Sequence, residues 1–368
     1  MTQVIKRNFC PAKINGGRKY QLSQYKEEKM FDIQSPIYFI RLLSFTSFSF
    51  VIGILLTPLF TDFLYRNKLG KKIRHTDYAG EKAPIYKKLH QNKENTPTMA
   101  GLLIWVPTTI ITFIFNMSRS GTWLPLFCLV GTGIIGALDD IMNIRGIGPN
   151  RGGMRFCYKF LFYSAVAAVG AWWFFFKLGW STIHVPFAGN FEIGLWYIPI
   201  FIVGLVFFAF AVNETDGLDG LAGGTLALSY GAYAIIALSQ GKLELAIFCA
   251  TILGLLLSFL WFNIHPARFF MGDTGAMSLG MTLGVIAFLT NTPIVLFIIG
   301  FVFVVEALSV MVQITSKKLF KRKVFLSSPI HHHLEALGWP ETKVTMRFWI
   351  ISAVSASVGL AVALFDKI

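Results

Sequence analysis

The sequence predicts an all-α polytopic membrane protein: about ten transmembrane helices, a cytoplasmic-facing cleft and a small external β-hairpin. Three observations predict it. Of 368 residues, 54% are hydrophobic and 14% charged, where a soluble domain carries about a quarter charged. Apolar stretches near the ~20 residues that cross a hydrocarbon core recur along most of the chain. The cations are gathered in the connections between those stretches.

The spans fall at 37–62, 99–116, 123–142, 157–177, 194–212, 221–239, 243–262, 276–290, 294–316 and 347–365, so residues 37–368 read as one transmembrane domain. The first run is too long for a signal-peptide core and serves as a span. Residues 1–36 ahead of it form a basic extension without apolar periodicity, which predicts disorder. Because the extension carries Lys6, Arg7, Lys13, Arg18, Lys19, Lys26 and Lys29 on the face that the topology places outside, residues 1–29 read as dispensable, with Met30 as the working start. Between the fourth and fifth spans, Trp180 to Trp196 alternates polar and apolar residues around Gly189-Asn190, the pattern of a hairpin. The cysteines, Cys10, Cys128, Cys157 and Cys249, show no CxxC pair and read as reduced apolar side chains.

Connections after the odd-numbered spans must open on one face, whatever the orientation. They hold Arg66, Lys68, Lys71, Lys72, Arg74, Lys82, Lys87, Lys88 and Lys93, then Arg145, Arg151, Arg155 and Lys159, then Arg268 and Lys317 to Lys323. The even connections offer little beyond Arg119, Lys177 and Lys242, so the odd face is expected in the cytoplasm. This distribution accounts for the net charge of +14 without nucleic acid. Lys317 to Phe325 mixes cations with apolar residues, as an interfacial helix under anionic headgroups would.

The suspicious polar residues lie on that same face. Asp139-Asp140 end a glycine-bearing apolar helix, where carboxylates are costly unless paired or used, although a solvated helix end facing Arg145 would also explain them. Asn213, Asp216 and Asp219 recur every three residues; if helical, they line one strip suited to a hard cation or to a ribose and base edge, and capping is the plainer reading of any one of them. In Phe270-Met271-Gly272-Asp273-Thr274-Gly275, glycine lets a phosphate approach the backbone, the following helix start offers free amides, and Asp273 is the first choice for a metal ligand. His331-His332-His333 cannot all point one way on a helix, so contact with pyrophosphate oxygens suits them better than a three-histidine zinc site.

Taken in order, Asp-Asp at a span end, Asn-x-x-Asp-Gly-x-Asp-Gly-Leu, Asn-x-x-Pro-Ala-x-x-Phe-Met-Gly-Asp-x-Gly and Pro-x-His-His-His resemble the polyprenyl-phosphate N-acetylhexosamine-1-phosphate transferases. Within that superfamily, Lys93 followed by Thr96-Pro97-Thr98-Met99, and Ser328 through Trp339 with Glu341 and Arg347-Phe348-Trp349, are similar to the phospho-N-acetylmuramoyl-pentapeptide transferases. The likeness implies transfer of phospho-N-acetylmuramoyl-pentapeptide from its uridine diphosphate (UDP) donor, UDP-N-acetylmuramoyl-pentapeptide, to undecaprenyl phosphate. It implies release of uridine monophosphate (UMP), a requirement for Mg2+, and a bacterial plasma membrane, and it leaves room for a homodimer. It also implies roles: Asp139, Asp140 and Asp273 as catalytic carboxylates, with Asp273 on Mg2+; Gly217, Leu218, Asp219 and Phe270 around uracil; Thr98, Asn213, Asp216 and Gly272 on the ribose side; and Lys93, Asn263, His331, His332 and His333 completing the site. The chain departs from the family pattern at Glu94-Asn95, Ala100 and Asn143, the last standing where a lysine is common.

Direct attack by the lipid phosphate, assisted by Asp139, is favoured over a covalent aspartyl intermediate on Asp273 or Asp139, which the same inventory also fits. A lipid transporter would share the many spans but places its site between repeats near the bilayer midplane, and no convincing internal repeat is found. A transferase for another UDP-N-acetylhexosamine differs only in donor.

Overall fold

Inside hydrocarbon every backbone N–H and C=O must be satisfied within the protein, which leaves helices as the economical solution for long apolar stretches. The computed structural model describes residues 36–67, 69–70, 96–118, 121–148 and 153–366. The expectations for Met30, Lys93 and the extension as far as residue 35 lie outside these described residues, and Pro36 already opens the first helix. The helices are α1 (Pro36–Arg66), α2 (Leu102–Phe115), α3 (Trp123–Ile144), α4 (Phe156–Trp172, continued by a π-helical turn over Trp173–Lys177), α5 (Tyr197–Thr215), α6 (Leu221–Ser239) and α7 (Leu243–Asn263). They continue with α8 (Asp273–Leu289), α9 (Pro293–Ile299), α10 (Phe301–Phe320), α11 (Ile330–Ala336) and α12 (Glu341–Phe365).

Every expected span has a helix. Seven are long and apolar enough to cross a membrane alone, α9 and α10 qualify only as a pair, and α2 and α8 are shorter apolar helices. One expectation is corrected: the ninth stretch is not one straight span over 294–316 but two helices meeting at 86°, broken at Gly300, where the helix has least to hold it straight. The basic stretch at its end is likewise not a separate interfacial helix, since α10 runs through Lys317 and Lys318 to Phe320.

Helix α8 is the axis of the bundle. Every residue after Asp273 is buried, and α3 and α5 pack closely along it. A helix that is buried on all sides shows no amphipathic stripe, and this one replaces the stripe with small residues that let neighbouring backbones approach. Helices α6 and α7 form a second buried pair, flanked by α12 and α1 respectively. The outer surface is apolar instead of polar, with Leu43, Leu55 and Leu59 of α1, Leu161 of α4 and Ile350 and Val354 of α12 all exposed. Such a continuous apolar surface belongs in lipid; the chain is an integral membrane protein.

Strands β1 (Thr182–Val185) and β2 (Gly189–Glu192) pair antiparallel, with Ile183 opposite Phe191. The chain reverses through Phe187, at φ 62°, and Gly189-Asn190 open the second strand. Buried His184 fastens this hairpin: Nδ1 lies 2.9 Å from Asn190 Oδ1 and Nε2 lies 2.7 Å from Asp366 Oδ2 at the end of α12.

The alternation of faces gives a direct test. In a chain whose own cysteines are replaced by serine, Ala188→Cys in the hairpin should react with an impermeant maleimide from outside intact cells. Leu337→Cys, in the connection after the ninth span, should react only once the inner face is opened. The reverse labelling would invert the expected orientation.

Candidate active site

The site is built where α3 meets the first turn of α8. A helix start leaves unpaired N–H groups, and here they are taken by a carboxylate from another helix: Asp140 accepts from Asp273 N at 3.2 Å through Oδ1 and from Thr274 N at 3.0 Å through Oδ2. The fit requires Gly136 one turn earlier on α3, because a Cβ there would lie 2.6 Å from the carbonyl oxygen of Asp273. Trp105 Nε1 donates to Thr274 Oγ1 (3.0 Å), which in turn donates to Gly133 O (2.8 Å), closing the seam. The expectation that these helix-start amides are open to a phosphate is therefore corrected: Asp140 already occupies the first two.

Asp139, the neighbouring residue, faces another way. Its Oδ1 accepts from Met154 N at 2.6 Å, and its Oδ2 lies 2.7 Å from Lys159 Nζ. The same ammonium lies 2.5 Å from Asp273 Oδ2, so Lys159, on the first turns of α4, bridges two carboxylates supplied by α3 and α8. The Asp139 and Lys159 side chains are 2% and 11% exposed, which keeps the ion pairs out of bulk water and unscreened. With all of them ionised, three carboxylates against one ammonium leave a formal charge of −2 among these four side chains. That surplus, with two carboxylates facing one point, suits a hard divalent cation holding substrate phosphates. Among the described residues the only cluster of three metal-ligating side chains lies elsewhere, at Asp219, His265 and Glu341. There Asp219 pairs with His265, as Asp139 and Asp273 pair with Lys159.

Thr98 reaches the site from the connection after α1. Pro97 O accepts from Phe270 N, and Ala100 N and Gly101 N donate to Phe270 O and Met271 O, which sets the two segments side by side. The Thr98 hydroxyl is buried with no hydrogen-bond partner among the described residues. Gly272 lies between it and Asp140: at φ +75° it takes a conformation that suits glycine, and a Cβ would come 2.8 Å from Thr98 Oγ1 and 2.6 Å from Asp140 Oδ2. Phe270 stays half-buried, while its neighbour Phe269 is fully buried.

The segment from Asn213 to Gly220 is not the helical strip expected. Helix α5 ends at Thr215, and Asp216 to Gly220 form a turn in which Gly220 has φ +76°. The physical reason is the repeated Asp-Gly, which is turn chemistry. Asp216 Oδ2 accepts from Gly272 N (3.1 Å), whereas Asp219 Oδ2 accepts from Ala267 N (3.1 Å) and lies 3.0 Å from His265 Nδ1. Three residues spaced by four on α12 grip the same turn: Glu341 Oε1 accepts from Asp219 N (2.7 Å), Thr345 Oγ1 donates to Asp219 O (3.2 Å) and Trp349 Nε1 donates to Gly220 O (3.0 Å). Asn263 accepts from Gly220 N through Oδ1 (3.0 Å) and donates through Nδ2 to Phe269 O (2.7 Å), which fastens the turn. Leu218 packs with Leu221, Val302, Val344 and Phe348.

The three histidines separate as their helical spacing requires. His331 and His332 are buried with ring centroids 4.1 Å apart; His331 Nδ1 lies 2.9 Å from Glu306 Oε2 and His332 Nδ1 lies 2.7 Å from Glu335 Oε2. His333 turns to other partners: its Nδ1 accepts from Leu326 N (3.2 Å) and its ring packs against Phe325, in the connection before α11. Sequence reasoning treated Lys159 as a loop cation and overlooked Glu306. A carboxylate within an apolar stretch was the available signal for Glu306, and a lysine opening a span was the one for Lys159.

A helical membrane bundle with clustered carboxylates and a bridging cation at one face defines a membrane-embedded enzyme that handles phosphates. Residues 122–291 match the family model described as glycosyl transferase family 4. The chain is 40% identical over 321 residues to the phospho-N-acetylmuramoyl-pentapeptide-transferase of Geobacillus thermodenitrificans, covering 85% of this chain and 94% of that one. It is 39% identical over 338 residues to the protein of the same name from Chloroflexus aggregans, covering 88% and 90%. The chain belongs to the phospho-N-acetylmuramoyl-pentapeptide-transferase family.

Two substitutions test the geometry. Lys159→Met should leave the bundle folded, by circular dichroism in detergent, and lower kcat/KM by about 10²-fold or more, the scale of losing one preorganised charge contact. Gly272→Ala should destabilise the protein by about 1–3 kcal/mol, from backbone strain with the added Cβ clash, and remove most activity. Wild-type turnover in either variant would show that the corresponding contact is dispensable.

Proposed function

We propose that this chain moves phospho-N-acetylmuramoyl-pentapeptide from UDP-N-acetylmuramoyl-pentapeptide to undecaprenyl phosphate at the cytoplasmic face of the bacterial plasma membrane, releasing UMP and forming lipid I for peptidoglycan. The observation that carries the mechanism is Lys159 held 2.7 Å from Asp139 and 2.5 Å from Asp273. Around it, residues from all five odd-numbered connections or the helix ends beside them converge: Thr98, Asp139 with Lys159, Asp216, Gly272-Asp273 and His331. This convergence supports a single cleft open to a water-soluble nucleotide on one side and to lipid on the other, and the lysine and arginine bias supports the cytoplasm as the watery side.

The reaction exchanges one phosphoanhydride for another. An oxygen of the lipid phosphate bonds to the phosphorus that carries the sugar, the bond from that phosphorus to the bridging oxygen breaks, and UMP leaves with that oxygen. Little covalent work falls to the protein, so alignment and charge neutralisation dominate. Lys159 brings a positive charge that developing phosphate charge can share, and Asp273 keeps it directed into the cleft. Asp139 has both oxygens engaged, by Met154 N and by Lys159, which makes it a poor nucleophile and favours direct attack by the lipid over a covalent aspartyl intermediate. The orphaned Thr98 hydroxyl and the half-buried Phe270 ring are suited to the ribose and uracil of the donor, and buried His331 and His332 to the pyrophosphate. Mg2+, held by Asp273 with Asp139 facing the same point, would supply further charge neutralisation to the phosphate oxygens.

Purified protein given undecaprenyl phosphate should release UMP from UDP-N-acetylmuramoyl-pentapeptide and not from UDP-N-acetylglucosamine. Turnover should stop with EDTA and return with Mg2+, and Asp273→Asn should abolish it in a folded protein. Equal turnover of both donors would overturn the assignment of substrate, and full activity in EDTA the assignment of metal.

A further inference from the structure

Glu306 is the acidic residue that the mechanism above leaves unused. It lies in α10, inside the apolar stretch that forms the ninth span, and its side chain is 0% exposed. A carboxylate at such a position is costly unless it is paired or has a function. Only one of its oxygens is used: Oε2 lies 2.9 Å from His331 Nδ1, while Oε1 has no hydrogen-bond partner among the described residues. An ion pair retained purely for stability would be expected to satisfy both oxygens, and a buried pair that does not is a weak contributor to the fold.

The other end of the ring shows what the pair achieves. With Glu306 sharing a proton on the Nδ1 side, Nε2 is the nitrogen turned away from the carboxylate. His331 Nε2 is directed at the backbone of Gly217, so closely that a Cβ on Gly217 would lie 2.2 Å from it. Gly217 follows Asp216, whose carboxylate accepts from Gly272 N beside Asp273. The imidazole edge is thus delivered from α11 to the turn that supports the metal-binding end of the cleft. His332 repeats the arrangement alongside, with Nδ1 held by Glu335.

We propose that Glu306 is a positioning residue, which holds His331 by Nδ1 from within the membrane so that Nε2 is set against Gly217, in the turn that carries Asp216 to Gly272 beside Asp273. The assignment rests on the transferase reading. It predicts an effect on turnover that passes mainly through His331.

The test is a double-mutant cycle of Glu306→Gln and His331→Asn, following UMP release, KM for both substrates and thermal unfolding in detergent. Glu306→Gln alone should lower kcat by about 10²-fold, within the range for a group that aids proton or charge movement, with KM and the unfolding temperature little changed. In the His331→Asn background the same change should cost less than about threefold, because the partner through which it acts is gone. Glu306→Asp, which restores the charge, should recover part of the loss. Equal losses in both backgrounds, an unaffected kcat in Glu306→Gln, or a collapse of unfolding temperature that tracks the loss of activity would each overturn the proposal. The wild-type assay separates the two ideas: an inactive wild type sinks the transferase reading, and an active wild type with an equally active Glu306→Gln sinks only this one.

Discussion

The capping of α8 by Asp140 is the contact on which the site depends. Two hydrogen bonds join a carboxylate at the end of one membrane helix to the first amides of another. They fix the distance between α3 and α8, and that distance sets where Asp139 and Asp273 stand. Lys159 bridges those two carboxylates, while Asp140 spends its oxygens on the start of α8. Adjacent aspartates in the sequence therefore take different duties: one builds the frame, and the other belongs to the charge cluster.

The same logic of spending polar groups on assembly recurs at the neighbouring turn. Glu341, Thr345 and Trp349 read the backbone of Asp219-Gly220 from one face of α12, and Asn263 closes it from α7. Each of these side chains is polar or part-polar at a membrane boundary, where an unsatisfied backbone group is expensive. The turn is consequently rigid without regular secondary structure. Asp216 projects from it to Gly272, which couples the turn to the charge cluster through one hydrogen bond.

Much of this was legible in the sequence, and for a physical reason. A bilayer imposes a length on each span and a sign bias on each connection, so the ten apolar stretches and their shared face could be read by counting. The hairpin followed from alternation, and Asp139, Asp140 and Asp273 from the cost of carboxylates at a span end. What was not legible is pairing. Nothing in a one-dimensional pattern says that Asp140 would cap a helix 133 residues further along, or that Lys159 would turn inward from a basic connection. The three-residue spacing of Asn213, Asp216 and Asp219 misled because it matches a helix, while Asp-Gly repeated twice is the stronger signal and makes a turn. Adjacency in sequence did not show that His333 would pack on Phe325 while His331 and His332 pair with buried carboxylates.

The complete burial of α8 has a consequence for how the protein enters the membrane. This helix has 17 residues and includes Thr274, Ser278 and Thr282, all buried. Because lipid never touches it in the finished bundle, its side chains answer to α3 and α5 and not to acyl chains. Its own tendency to partition from the translocation machinery into the bilayer is accordingly weak, and small residues that suit close packing add little to it. Helices α3 and α5 precede it in the chain and are synthesised first. They can be waiting at the lateral exit when α8 emerges, so that insertion of this segment and its docking become a single event.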